Sequence, residues 1–176
     1  MKKIGLGVIV ALLSAPMVEA RASDLKGPLE DVSFLAGEWN GARGQVFDTG
    51  GTSTGRSSFT AEVGGMVLLR RDHTDLFDKV GKPQGGFDQM MWIYPEGNAL
   101  RADYSDGQHV IHYVRTQVTP GHSVMFMSEA QPGAPTFRLT YTLTAPDALT
   151  VSFDMAPPGQ AEFHSVAQGE LQRSPR

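Results

Sequence analysis

The chain has 176 residues with 15 basic and 19 acidic side chains, a formal net charge of −4, and no cysteine. That composition excludes disulfide staples, thiol catalysis, cysteine-ligated zinc and iron–sulfur clusters. A net acidic chain without a basic cluster also argues against nucleic acid as a partner, because a phosphate backbone is repelled rather than drawn in.

Residues 1–22 read as a secretory signal peptide. Lys2 and Lys3 form a positive start, Ile4 to Leu13 is an apolar run too short to cross a bilayer, and small residues follow. Val18-Glu19-Ala20 and Ala20-Arg21-Ala22 both fit a cleavage site, and no cysteine follows that could carry a lipid. The expectation is an exported chain, periplasmic or extracellular, with no stable membrane anchor after cleavage. Removing Lys2, Lys3, Arg21 and Glu19 leaves 12 basic and 18 acidic groups, a net charge near −6. Residues 23–176 are long enough to bury a core without staples and contain no linker or low-complexity segment, so one domain is expected.

Asp24 to Leu35 carries Leu25, Leu29, Val32, Phe34 and Leu35 at loosely helical spacing, with Pro28 suited to a first turn. A short helix or turn closing one end of the domain is expected there. From Gly37 the apolar period becomes two. Strands are expected near 38–47, 53–62, 65–74, 87–94, 99–105, 109–118, 122–128 and 161–172. Two more are clearest of all: Phe137, Leu139, Tyr141 and Leu143 alternate with polar residues, as do Leu149, Val151, Phe153 and Met155. Ala145-Pro146-Asp147 between them is a turn, since proline presets φ and aspartate can bond the backbone ahead of it. Glycine and proline clusters punctuate the remainder, and one long connection is expected from Leu76 to Gly86. About ten antiparallel strands in a meander curl into a barrel or split into a sandwich. Closure removes exposed edges.

Several motifs suggest chemistry and lose to simpler readings. Gly50-Gly51-Thr52-Ser53-Thr54-Gly55-Arg56-Ser57 approaches a phosphate-binding loop, yet Phe59, Ala61 and Val63 follow at strand spacing where a helix is required. A glycine-rich hairpin is expected instead. Gly121-His122-Ser123-Val124-Met125 lacks the second glycine and strand-to-helix turn of a nucleophile elbow. His109 and His112, three apart, fall on opposite strand faces and form no metal pair. The run Arg70-Arg71-Asp72-His73 reads as a strand end or a solvated face.

Phe34-Leu35-Ala36-Gly37-Glu38-Trp39-Asn40-Gly41, followed by Gly64-Gly65-Met66, Phe87-Asp88 and Trp92-Ile93-Tyr94, resembles the calycin superfamily of lipocalins and fatty-acid-binding proteins. The pattern is nearest the exported bacterial lipocalin-like proteins and the haem-binding nitrobindins, and it runs from Phe34 to Arg173. The resemblance implies an all-β, antiparallel meander closed into a calycin-like barrel of about ten strands. It implies structural roles for Gly37, Trp39 and Arg173, the tryptophan packing against the arginine at the closed end. It implies binding of a small apolar ligand, with no cofactor. In its nitrobindin form it would imply haem held by His164, although the residues around His164 depart from that pattern.

Methionines and aromatics crowd the middle strands, which suits either a pocket for adaptable apolar contacts or an ordinary core. Met91, Tyr104, His112, Tyr113 and Met125 are the candidate lining residues. A barrel enzyme of isomerase or cyclase type could draw on Arg70, Arg71, Asp72, Asp88, Arg101, Asp103, Tyr113 and Arg115, but their spacing sets up no carboxylate pair, triad or metal set, so no catalytic residue is assigned. A filled barrel acting through its outer surface is the third class.

Overall fold

The computed structural model describes residues 24–175, and the expected signal peptide, residues 1–22, lies outside the described residues. Ten strands close on themselves in the order β1-β10-β9-β8-β7-β6-β5-β4-β3-β2, every neighbouring pair antiparallel. They are β1 (Gly37–Val46), β2 (Gly51–Glu62), β3 (Val67–Phe77), β4 (Pro83–Glu96), β5 (Ala99–Ser105), β6 (Val110–Thr119), β7 (Ser123–Ser128), β8 (Thr136–Ala145), β9 (Ala148–Ala156) and β10 (His164–Arg173). Closure settles the choice between barrel and sandwich. The physical reason is that β1 pairs with both β2 and β10, so neither terminal strand leaves an open row of N–H and C=O groups.

The glycine-rich stretch after Asp48 forms the β1–β2 hairpin, as the strand spacing requires, with Gly50 at φ +67°. The expected long connection between β3 and β4 is a correction. Those strands run on to Phe77 and from Pro83, leaving a five-residue turn at 78–82, and Asp78 Oδ1 accepts from the N–H groups of Val80 and Lys82. Gly85-Gly86 looked like loop residues in the sequence but pair with Leu76 and Asp75 inside the ladder.

A 3-10 helix over Gly27–Leu35, with Pro28 in its first turn, covers one end of the barrel. Its apolar residues Leu29, Val32 and Leu35 are fully buried. Backbone bonds from Lys26 N–H to the Gly65 carbonyl and from Gly121 N–H to the Asp31 carbonyl tie it to the β2–β3 and β6–β7 connections. Beneath it lies the core: Trp39, Phe59, Leu68, Ile93, Leu100, Val124, Phe126, Leu149 and Leu171, all buried. Each comes from the inward face of its strand, as period-two geometry dictates.

The closed end is locked by Arg173. Its guanidinium carbon stands 4.1 Å from the centre of the Trp39 ring, and its Nη1 and Nη2 donate to the carbonyls of Ala36 (2.7 Å) and Phe34 (2.9 Å). Trp39 Nε1 donates to the Leu35 carbonyl at 2.7 Å. These bonds satisfy carbonyls at the end of the helix that nothing intrahelical reaches. Gly37 is required here twice over: its φ is +120°, and a Cβ would stand 2.9 Å from Arg173 Nη1.

Candidate functional site

With one end of the barrel filled, the interior opens toward the other. A cavity of about 620 Å³ begins above the core and reaches the ends of the strands away from the helix. Its walls are apolar: Leu76, Phe87, Ile111, Phe137, Leu139, Val151 and Phe153 all face it. Phe137 and Phe153 stack with centres 5.5 Å apart and rings inclined by 13°. On the β1, β2 and β10 side the wall is thin, built from Gly41, Gly44, Gly55 and Gly169. Missing side chains on those inward positions leave the space open. At Gly55 a Cβ would run into the His73 carbonyl, so the residue also permits close approach of β2 and β3.

The floor of the cavity is polar, and its centre is Arg70 on β3, a buried residue at 7% exposure. Every N–H of its guanidinium faces an acceptor. Nε donates to Asp72 Oδ2 at 2.5 Å, Nη1 to the Tyr141 hydroxyl at 2.6 Å and to Met91 Sδ at 3.8 Å, and Nη2 to Gln89 Oε1 at 3.3 Å and to Asp72 Oδ2. Gln89 in turn accepts from the Tyr104 hydroxyl at 3.3 Å and donates to Thr74 Oγ1 at 2.9 Å. Burial works against the Arg70 charge, but Asp72 more than offsets it and holds the guanidinium above its ordinary pKa. Burial, with Asp106 adding to it, pushes the Tyr104 phenol up to about 12. Burial likewise raises Tyr113 and Tyr141, so all three phenols are protonated at neutral pH.

Two floor groups have capacity left over. Asp72, whose side chain is 7% exposed, uses only Oδ2, and its Oδ1 is buried without a hydrogen-bond partner. An unpaired buried acceptor costs on the order of 1–3 kcal/mol. The Tyr113 hydroxyl, on a side chain facing the same cavity, also makes no hydrogen bond within the described residues.

The strands sort the sequence candidates by face. Met91, Tyr104 and Tyr113 point inward: Tyr104 and Tyr113 line the cavity, while Met91 is fully buried beneath Arg70. His112 and Met125 do not. Since Tyr113 faces in, its neighbour His112 faces out, where its Nδ1 lies 2.5 Å from Asp103 Oδ1. Met125 stands on the outer face between the inward, fully buried Val124 and Phe126. The same alternation corrects the reading of Arg70-Arg71-Asp72-His73 as a solvated face. Arg71 and His73 are outside, while Arg70 is inside and buried and Asp72 points inward with its side chain 7% exposed. Two charges at i and i+2 on a strand were the available signal, because they must share a face. Nothing in the sequence marked Gln89 or Tyr141 as their partners.

His164 opens β10 with its side chain exposed and lies outside the cavity lining. The residues present therefore do not fit haem ligated by His164. The histidines at the cavity rim are already engaged: His73 bonds Asp88 at 2.7 Å and Asp75 at 3.3 Å, and His109 bonds Asp106 at 3.1 Å. The hydrogen bond from the His73 ring to the Asp88 carboxylate is the main influence that raises the His73 pKa.

No family model matches the chain, and no curated protein matches it. Among solved structures, it is similar to Rv2717c from M. tuberculosis at 18% identity and a TM-score of 0.60, over 86% of this chain and 100% of that one. EF1p2_mFAP2b, solved bound to DFHBI, matches at 14% identity and a TM-score of 0.43, over 82% and 97%. A protein of unknown function of the DUF3598 family from Nostoc punctiforme matches at 10% identity and a TM-score of 0.33, over 85% and 100%. The first of these likenesses is one of fold, that of a closed antiparallel barrel.

Proposed function

We propose that this protein is an exported lipocalin-like binding protein that encloses a small hydrophobic or amphipathic molecule in its barrel. The observation that carries the reading is the cavity: about 620 Å³, walled by apolar side chains and open at the end away from the helix. That volume lies within the roughly 300–1,000 Å³ of sites that take drug-sized ligands. Burying apolar ligand surface against such walls supplies the main driving force, about 25 cal/mol for each Å² removed from water. No constellation on the floor suggests catalysis, since the Arg70 guanidinium is spent on Asp72 Oδ2 and its other neighbours and the remaining Asp72 oxygen is shut away from the cavity. Binding is preferred to chemistry for that reason.

Export rests on the sequence of residues 1–22 and is tested separately. N-terminal sequencing of the protein recovered from its own cells should begin at Arg21 or Ser23, and an intact Met1 in a cytoplasmic fraction would refute it. Ligand binding is tested by native mass spectrometry, with an absorption spectrum, of the protein purified from its natural compartment. A bound apolar molecule released on denaturation is expected. A Soret band would replace this reading with a haem protein, and an empty barrel that also takes up no added hydrophobic probe would refute binding in favour of an interaction module.

A further inference from the structure

The outside of the barrel carries a groove of its own. Trp39, Ser57, Arg70 and Met91 face inward, so their neighbours Glu38, Ser58, Arg71 and Met90 face out. The ladders set these four in one row with Ser105, running across β1 to β5. Four inter-strand spacings make the row about 19 Å long. A second row, Arg56, His73 and Asp88, lies beside it, and Trp92 flanks it on the other side. Together they line a groove of about 720 Å³. Its apolar part is uncovered: Trp92 is 37% and Met90 41% exposed. Its polar part is largely unspent. Among the described residues the Glu38 and Arg56 side chains make no hydrogen bond or ion pair, and Arg71 has only Glu62, at 3.8 Å. Asp88 bonds His73 through Oδ1 and leaves Oδ2 free, while Ser105 Oγ accepts from the Gly107 N–H and keeps its own proton to donate.

These features select among occupants. A protein partner calls for a patch whose centre is depleted of charge, whereas here Arg71 stands on the strand next to Trp92. A nucleic acid calls for a net positive surface, whereas Arg56 and Arg71 are balanced by Glu38 and Asp88. What fits is a molecule apolar on one face and hydroxylated around its edge. A pyranose ring is one: its axial C–H groups pack flat on an indole, and each equatorial hydroxyl both donates and accepts. Hydrogen bonds between a neutral hydroxyl and a carboxylate or guanidinium are about twice as strong as neutral pairs. We propose that the outer groove over β1–β5 binds a neutral oligosaccharide, with one ring stacked on Trp92 beside Met90 and neighbouring hydroxyls held by Glu38, Arg56, Arg71 and Asp88. A row of this length takes several rings rather than one. The site lies on the opposite face of the sheet from the barrel cavity and is independent of what the cavity holds.

An array of neutral, sialylated and sulfated oligosaccharides, probed with the purified protein, tests this, and the neutral oligosaccharide bound best is then titrated by calorimetry. Tryptophan emission supplies a second readout, because the chain has two tryptophans and Trp39 is buried at 1% exposure, leaving Trp92 as the one that iodide can quench. Neutral oligosaccharides are expected to bind and to shield Trp92 from iodide. Trp92→Ala, a substitution on the outer face, should leave the urea midpoint nearly unchanged and weaken binding about tenfold or more, with Trp92→Phe between the two. Glu38→Gln and Arg56→Met should each weaken it severalfold. Failure of every neutral oligosaccharide to bind would overturn the proposal. So would a preference for the sialylated or sulfated set, which would make the groove an anion site, or binding that Trp92→Ala leaves unchanged, which would place the sugar elsewhere.

Discussion

Replacing Arg173 with alanine tests the construction of the closed end. Arg173 donates to the carbonyls of Phe34 and Ala36 at 2.9 and 2.7 Å and stacks over Trp39 at 4.1 Å. Each carbonyl left without its donor costs about 1–3 kcal/mol, and the lost cation–π contact about 0.5–2 kcal/mol. Arg173 is only partly buried, and water can reach some of what it leaves behind, so the lower ends apply. The expected loss is about 2.5–3 kcal/mol. For a protein of this size each kcal/mol lowers Tm by roughly 2–4 °C, giving a fall of about 5–12 °C. Urea unfolding should show a lower midpoint with an unchanged slope, because the surface exposed on unfolding is the same. Arg173→Lys should fall between, since a single ammonium cannot reproduce the fork that reaches both carbonyls. Probe affinity at the far mouth should be unchanged in both variants. A loss under about 1 kcal/mol for Arg173→Ala would refute the locking role of this residue.

Three further outcomes follow from the geometry. Arg70→Met strands the buried Asp72 carboxylate and should destabilise by about 3–5 kcal/mol, whereas Arg70→Met with Asp72→Leu should recover most of that in urea unfolding. His73 has its pKa raised in the folded state by the Asp88 bond. Its stabilising contribution is therefore complete below the unfolded value near 6.5 and is lost as pH rises through the higher folded value. NMR titration should place His73 above 6.5 and show Asp88→Asn bringing it back toward that value; an unshifted His73 would refute the pairing. Gly55→Val drives a side chain into the His73 carbonyl across the β2–β3 ladder and should cost about 1–3 kcal/mol by thermal unfolding, with neutrality counting against the close approach.

The sequence by itself determined the elements. Alternation along 137–143 and 149–155, and turn residues at regular intervals, are local properties, because a strand's two faces and a turn's φ angles are decided within a few residues. The helical spacing of Leu29, Val32 and Leu35 located the end cover in the same way. Where local signals misled, they did so for local reasons: Gly85-Gly86 read as loop because glycine's freedom suits both a turn and an irregular strand, and only pairing with β3 places them in the ladder. The site was legible only in part. Of the candidate lining residues, Tyr104 and Tyr113 face the cavity, Met91 points inward but lies in the core beneath Arg70, and His112 and Met125 point outward, because a one-residue change in strand phase inverts every side chain. Bulges in the β6–β7 and β1–β10 ladders shift that phase midway along a strand, and no pattern in the sequence announces them. Tertiary structure alone decided that Arg70 meets Tyr141, 71 residues later, and Gln89 on the next strand. It also decided that the resulting cluster spends its charge internally and leaves Asp72 Oδ1 unpaired. Such partnerships depend on barrel closure and register, which bring together residues that no spacing along the chain relates.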